Sequence, residues 1–232
     1  MRIAGFQKHS MVDFPGKLAA VVFTPGCNMN CYYCHNRVIL GPQADAHLTD
    51  REEVLAYLFR RKGLLEGLVI TGGEPTLQKG LKSFILEVRS MGYPVKLDTN
   101  GTCPGTLQAL VQERLVDYVA MDLKAPWQRY DEMCGAKVDT QAVQQSIQIL
   151  LAGHVHYEFR TTFAPDLTQQ DVLGMARGVQ GAERMVLQQY RKPQNYLPDD
   201  HRIACAPHTP DYIRQTAQQI RSLQIPCDVR GI

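Results

Sequence analysis

The sequence predicts an α/β fold, an incomplete, open-sided (β/α)6 parallel barrel, or partial TIM barrel. Three observations lead there. Short apolar runs rich in β-branched residues alternate with stretches whose apolar residues recur at helical spacing. Strand and helix in regular turn argue for parallel βαβ units with right-handed crossovers. About six such units fit into the 232 residues, short of the eight in a closed barrel of about 250. A doubly wound open sheet has the same alternation, so pattern alone leaves both arrangements open.

The elements follow in order. Leu18–Phe23 is a buried-strand candidate and runs into a cysteine-rich loop. Thr49-Asp50-Arg51-Glu52 reads as a capping box, and Val54, Leu55, Leu58 and Phe59 then recur at helical spacing until Gly63 stops the run. Leu68–Thr71 is the next strand. Thr76 is placed to cap a helix with inner face Leu77, Leu81, Phe84, Ile85 and Val88, ended by Gly92. Strands at Val95–Asp98, Tyr118–Leu123, His156–Thr162 and Arg184–Gln188 alternate with helices at Thr106–Glu113, Thr140–Leu151 and Thr168–Arg177. Tyr212–Leu223 is a last helix before the short Ile225–Val229. Gln189–Pro210 is the one long polar stretch and reads as a surface loop. With no repeat or linker, residues 1–232 are expected to form a single domain.

Composition narrows the class. Apolar residues make up 44% and charged residues 21%, which excludes a disordered or collagen-like chain. The net charge of +2 comes with no basic run, so neither nucleic acid nor a membrane surface is an expected partner. No apolar stretch approaches the roughly 18–20 residues of a membrane span. Met1–Lys17 has no continuous apolar core of a signal peptide, and the expected location is the cytoplasm.

Seven cysteines divide into three and four. Cys27, Cys31 and Cys34 crowd together, while Cys103, Cys134, Cys205 and Cys227 are scattered and read as small buried apolar residues. The C-x3-C-x2-C run lets a curled loop bring three soft thiolates onto one iron–sulfur cluster or zinc ion. A closed structural site wants four protein ligands, and this loop has three with no fourth cysteine near it in sequence. Three thiolates on a [4Fe–4S] cube leave one iron open to a substrate or cofactor. A redox-active Cys31–Cys34 pair, a zinc knuckle and merely clustered thiols are the competing readings.

Other residues gain meaning from position. Gly72-Gly73-Glu74, Asp98-Thr99-Asn100-Gly101 and Asp122-Leu123-Lys124, each read alone, are turns or salt-bridging strand ends. If the strand assignments hold, Glu74, Asp98, Asp122 and Lys124 all sit at carboxyl ends of parallel strands, where (β/α) barrels build their active sites. Arg160, inside a strand, needs an anion if buried or else faces solvent. Gln188, Tyr190 and Arg191 follow the next strand. Tyr33 and Asn36 flank the cysteines as shields or sulfur hydrogen-bond partners, or as plain packing.

Taken together, the cysteine run followed by Thr71-Gly72-Gly73-Glu74-Pro75 resembles the radical S-adenosylmethionine (SAM) superfamily. Val12-Asp13-Phe14-Pro15-Gly16, Gly26-Cys27, Cys34-His35-Asn36, Asp98-Thr99-Asn100-Gly101 and Asp122-Leu123-Lys124 together resemble the glycyl-radical-enzyme activases. The likeness runs from Gly5 to about Tyr190 and points to activating proteins of anaerobic ribonucleoside-triphosphate reductase, with pyruvate formate-lyase activase as a relative. Many activases read Asp-Gly-Pro-Gly where this chain has Asp13-Phe14-Pro15-Gly16.

The resemblance implies a [4Fe–4S] cluster on Cys27, Cys31 and Cys34 and a methionyl amine held at Gly72, Gly73 and Glu74. It implies that Asp122 and Lys124 contact the ribose and carboxylate of SAM, with Asp98 and Arg160 beside the cofactor. Asp98, Thr99 and Asp122 match positions that hold a monovalent cation in a related activase. The implied reaction cleaves SAM reductively to a 5′-deoxyadenosyl radical, which takes a hydrogen from a glycine of a partner enzyme; flavodoxin or ferredoxin would donate the electron. No catalytic side chain beyond cluster and SAM is implied. Two other readings stay open: a compact radical SAM enzyme acting on a small molecule or peptide, for example resembling 7-carboxy-7-deazaguanine synthase, and a non-catalytic iron–sulfur or zinc module.

Overall fold

The structure is a computed structural model and describes residues 1–41, 48–196 and 200–232. Eight strands form one sheet whose spatial order repeats their order in the chain. β1 (Gly5–Phe14) pairs antiparallel with β2 (Lys17–Thr24) through a tight hairpin. From β2 onward all pairing is parallel: β3 (Gly67–Gly72), β4 (Val95–Thr99), β5 (Tyr118–Asp122), β6 (His156–Phe163), β7 (Met185–Gln189) and β8 (Cys227–Arg230). The connections carry α1 (Arg51–Arg60), α2 (Leu81–Ser90), α3 (Pro104–Gln112), α4 (Tyr130–Cys134) with α5 (Thr140–Leu151), α6 (Gln169–Arg177) and α7 (Pro210–Ser222). A doubly wound sheet reverses its strand order at a switch point. This one never reverses, and β1 and β8 remain separate edges, so the architecture is the open half-barrel.

Alternation along the strands separates two faces. Ala20, Val22, Leu68, Ile70, Val95, Leu97, Val119, Met121 and Phe159 join the large core beneath the helices. Phe14, Ala19, Val21 and Val69 form a small apolar cluster on the concave face. The same alternation turns Lys96, Asp98, Asp122, Glu158 and Arg160 toward that concave side. Below them Glu158 is fully buried; both guanidinium nitrogens of Arg230 donate to it at 2.7 Å, and Tyr118 Oη donates at 3.0 Å.

Some boundaries differ from the expectations, each for a local reason. β1 escapes periodicity because its exposed residues do not alternate with buried ones and its register with β2 breaks on either side of Ser10. Asp50 rather than Thr49 caps α1, its carboxylate accepting from Glu52 N, and Phe59 lies exposed. Thr76 caps no helix: Pro75–Leu77 is a single 3-10 turn, Leu77 is exposed, and α2 starts only after Gly80. α3 begins at Pro104, where a missing N–H costs nothing. α5 spans Thr140–Leu151 as expected, capped by Asp139, and α6 carries a complete Thr168–Asp171 capping box. The polar Gln189–Pro210 stretch contains a short turn, His201–Ala204, with Ile203 buried; its residues 197–199 lie outside the described ones.

Candidate active site

A cavity of about 420 Å³ opens at the carboxyl ends of the strands, and every residue singled out as a cluster or cofactor contact lines it. The wall after β2 is the cysteine loop. Cys31 is buried, with Cys27 and Cys34 half-buried. The loop is tied from several sides. Arg37 donates to Asn30 Oδ1 at 2.6 Å and to Cys31 O at 2.5 Å. Asn100, beyond β4, donates from Nδ2 to Asn28 Oδ1 at 2.9 Å and toward Cys27 Sγ at 3.8 Å. Met29 N also donates to Cys27 Sγ, at 3.4 Å. Such N–H groups favour a charged sulfur over a neutral one.

Gly72 and Gly73 earn their place through backbone contact. Gly72 has φ 120°, and a Cβ on Gly73 would stand 1.9 Å from Gly26 O. With no side chains in the way, Gly73 N donates to Thr24 O at 2.9 Å and Glu74 N to Gly26 O at 2.8 Å. The end of β3 is thereby stitched to the root of the cysteine loop. Glu74 is fully buried, and its carboxylate already has four donors. Oε1 accepts from Thr76 N at 3.0 Å, Thr76 Oγ1 at 2.5 Å and Thr99 Oγ1 at 2.8 Å, while Oε2 accepts from Asn100 N at 2.6 Å. Burial pushes its carboxyl above the usual range despite those bonds. Glu74 lines the cavity, and both of its oxygens also accept from the strand ends around it.

Opposite lies a ladder of charges. Arg160 donates from Nη1 to Asp98 at 3.0 Å and from Nε to Asp122 at 2.9 Å. Lys96 Nζ pairs with Asp98 at 2.5 Å and Lys124 Nζ with Asp122 at 2.9 Å. Burial alone would raise the two carboxyls, yet Arg160 and the lysines outweigh it. Asp98 sits below its ordinary value and Asp122 falls to about 2. Burial works against the Lys124 ammonium, but Asp122 and the nearby hydroxyl and thiol groups hold its proton well above the usual lysine value. Arg160 is therefore a paired cation on the cavity wall, its side chain 13% exposed. The three residues matched to a monovalent cation are engaged elsewhere: Asp98 and Asp122 with cationic side chains, Thr99 Oγ1 with Glu74.

Whether the site fits a cluster is decided by its donors. Three thiols line one cavity, and burial raises two of them, Cys27 to about 11 and Cys34 above its usual value. They ionise on binding metal, so loading releases protons. Among the described residues no three His, Cys, Asp or Glu side chains converge on a point for a single ion. Three thiols lining one cavity supply the soft ligands an iron–sulfur cluster takes. Tyr33 adds an unmet group: it is buried, its hydroxyl has no hydrogen-bond partner, and it lies near Cys31, Lys124 and Asp122. The residues fit.

The structure also brings in residues that no motif flagged. Cys134, at the end of α4, packs against Cys31; its thiol hydrogen bond draws Cys31 down to about 6, while its own proton is held more tightly. It is buried and does not line the cavity. Tyr32 donates to Asp166 at 2.6 Å, and Arg202 covers its ring at 4.2 Å. Such contacts join segments distant in sequence, and no local spacing announces them. Asn100 stood inside a quoted motif, but its reach to Cys27 depends on the fold. Gln188 lines the cavity; Tyr190 and Arg191 do not.

Residues 21–178 match the Radical SAM superfamily, and the chain belongs to that superfamily. Within it, a Methanocaldococcus jannaschii protein provisionally named a glycyl-radical enzyme activating enzyme is 32% identical over 204 residues, 84% of this chain and 82% of that one. The pyruvate formate-lyase-activating enzyme of Clostridium pasteurianum is 32% identical over 128 residues, covering 53% of this chain and 52% of that one. Streptococcus suis SuiB superposes with a TM-score of 0.63 at 14% identity, covering 91% of this chain and 48% of that one, a likeness of fold alone. The chain thus spans about half the length of that structure. No helix among the described residues is long and apolar enough to cross a membrane.

Proposed function

We propose that this chain is a glycyl-radical-enzyme activase, a single-domain protein whose partner is anaerobic ribonucleoside-triphosphate reductase. One observation carries it: Cys27, Cys31 and Cys34 share a cavity with Gly72, Gly73, Asp98, Asp122, Lys124 and Arg160. Cys27, Cys31 and Cys34 would hold a [4Fe–4S] cluster. That cluster, with SAM bound and an electron from flavodoxin or ferredoxin, supplies reductive cleavage of SAM to a 5′-deoxyadenosyl radical. The protein's own part is binding and orientation. Lys124 offers an ammonium to the SAM carboxylate and Asp122 an acceptor to the ribose hydroxyls, while Arg160 fixes both acids of the ladder. Glu74 holds Thr76, Thr99 and Asn100, and so keeps the cysteine loop and the strand ends in register. A monovalent cation at Asp98, Thr99 and Asp122 would compete with Arg160, and SAM affinity measured with and without potassium tests for it.

The test is anaerobic reconstitution with iron and sulfide, then dithionite and SAM, with assay for 5′-deoxyadenosine. Mixing with the reductase should produce a glycyl radical signal in electron paramagnetic resonance. Nucleoside formed without that signal, but in step with a small molecule or peptide, would move the assignment to another radical SAM reaction. A protein that binds iron and ignores SAM would end it.

A further inference from the structure

Lys96 is a buried cation that lines no part of the cavity yet completes its charge pattern. Its side chain is 3% exposed, and its ammonium is paired with Asp98 at 2.5 Å. Asp98 also holds Arg160, Arg160 holds Asp122, and Asp122 holds Lys124. Five charges therefore alternate in sign from the interior to the cavity wall. Three are cations and two are anions, so the ladder carries a surplus of one positive charge. The neighbouring acid on the same face, Glu158, is taken up by Arg230 and Tyr118 and does not cancel it.

Stability is a weak reason for such a residue. A buried ion pair is often no better than an apolar pair of the same volume, because both charges must leave water. Placed where it is, Lys96 does two things for the site. It keeps the ladder positive at the end facing the cavity, and it occupies Asp98 from behind, so that Arg160 stays stretched between two carboxylates. Without Lys96 the ladder would be neutral, with every cavity-lining side chain still present.

We propose that Lys96 is a positioning residue that makes the Asp98–Arg160–Asp122–Lys124 ladder a receptor for the carboxylate of the bound SAM. This rests on the SAM-binding reading of the cavity. The experiment compares binding of SAM and of decarboxylated SAM, which keeps the amine, sulfonium and nucleoside but lacks the carboxylate. Calorimetric Kd values are taken on reconstituted wild type, Lys96→Met, Lys96→Gln and Lys96→Arg, with thermal unfolding and cluster absorbance as checks on folding. Lys96→Met should weaken SAM about tenfold, the scale of one unit charge acting across a partly screened interior. Decarboxylated SAM should bind Lys96→Met within about twofold of wild type. Lys96→Gln, which keeps a donor to Asp98 without the charge, should show the same pattern, and Lys96→Arg should restore most of the affinity. Equal weakening of both ligands, or of neither, overturns the role for Lys96 alone. Absence of SAM binding by the wild type overturns the reading of the cavity and this role with it.

Discussion

On the proposed reading Lys124 would serve small-molecule binding and the cysteines cluster holding, and single substitutions separate the two. Lys124 stays charged because Asp122 and its other neighbours outweigh burial. A charged hydrogen bond of this kind is worth about 1.5–3 kcal/mol. Lys124→Ala should therefore weaken SAM binding about tenfold or more while leaving the cluster's absorbance in place; collapse of cluster loading would show the lysine to be structural. Cys31→Ala should abolish both the intact cluster and SAM cleavage. Cys134→Ala is the informative companion. It removes the thiol packed behind Cys31, outside the cavity. If three ligands suffice, iron and sulfide content per chain should match wild type. Loss of iron in that variant would mean that a fourth cysteine belongs to the cluster.

Elements matter here through their ends. The end of β3 crosses the root of the cysteine loop so closely that Gly73 has no room for a methyl group, its Cβ falling 1.9 Å from Gly26 O. Gly73→Ala should cost about 1–3 kcal/mol in chemical denaturation and lower the iron bound per chain, because the loop would have to shift. Much of this was legible in sequence. Strands rich in Val, Ile and Leu and helices with caps announce themselves locally, and the C-x3-C-x2-C run and Gly72-Gly73-Glu74 are contiguous. What escaped detection depends on distant partners. The four donors that Glu74 accepts from come from Thr76, Thr99 and Asn100, and only the pairing of β3 with β4 brings the last two near. The half-exposed, irregular β1 leaves no period to count, and Cys134 meets Cys31 only once α4 is folded.

For the whole molecule, the concave face is a polar interior that must be matched charge for charge. Asp98 and Asp122 both titrate below the ordinary carboxylate value of about 4. Depressed carboxylates contribute stability that is fully present above that value and is lost as pH falls toward 2. Thermal midpoints should fall across that window, and Asp122→Asn should flatten the fall. At the barrel floor, Arg230→Leu would leave the fully buried Glu158 without its counter-ion. The expected loss is about 3 kcal/mol in denaturant titration, largely recovered when Glu158→Leu is added. The contact between Tyr32 and Asp166, 134 positions apart, has a consequence for biosynthesis. Chains emerge from the ribosome N-terminal end first. The three thiols therefore emerge well ahead of Asp166 and Arg202, the residues that hold Tyr32 beside Cys31. Iron delivered to a half-made chain would meet a loop without that contact, and a chain ended before Asp166 should bind less iron on anaerobic reconstitution than the full one.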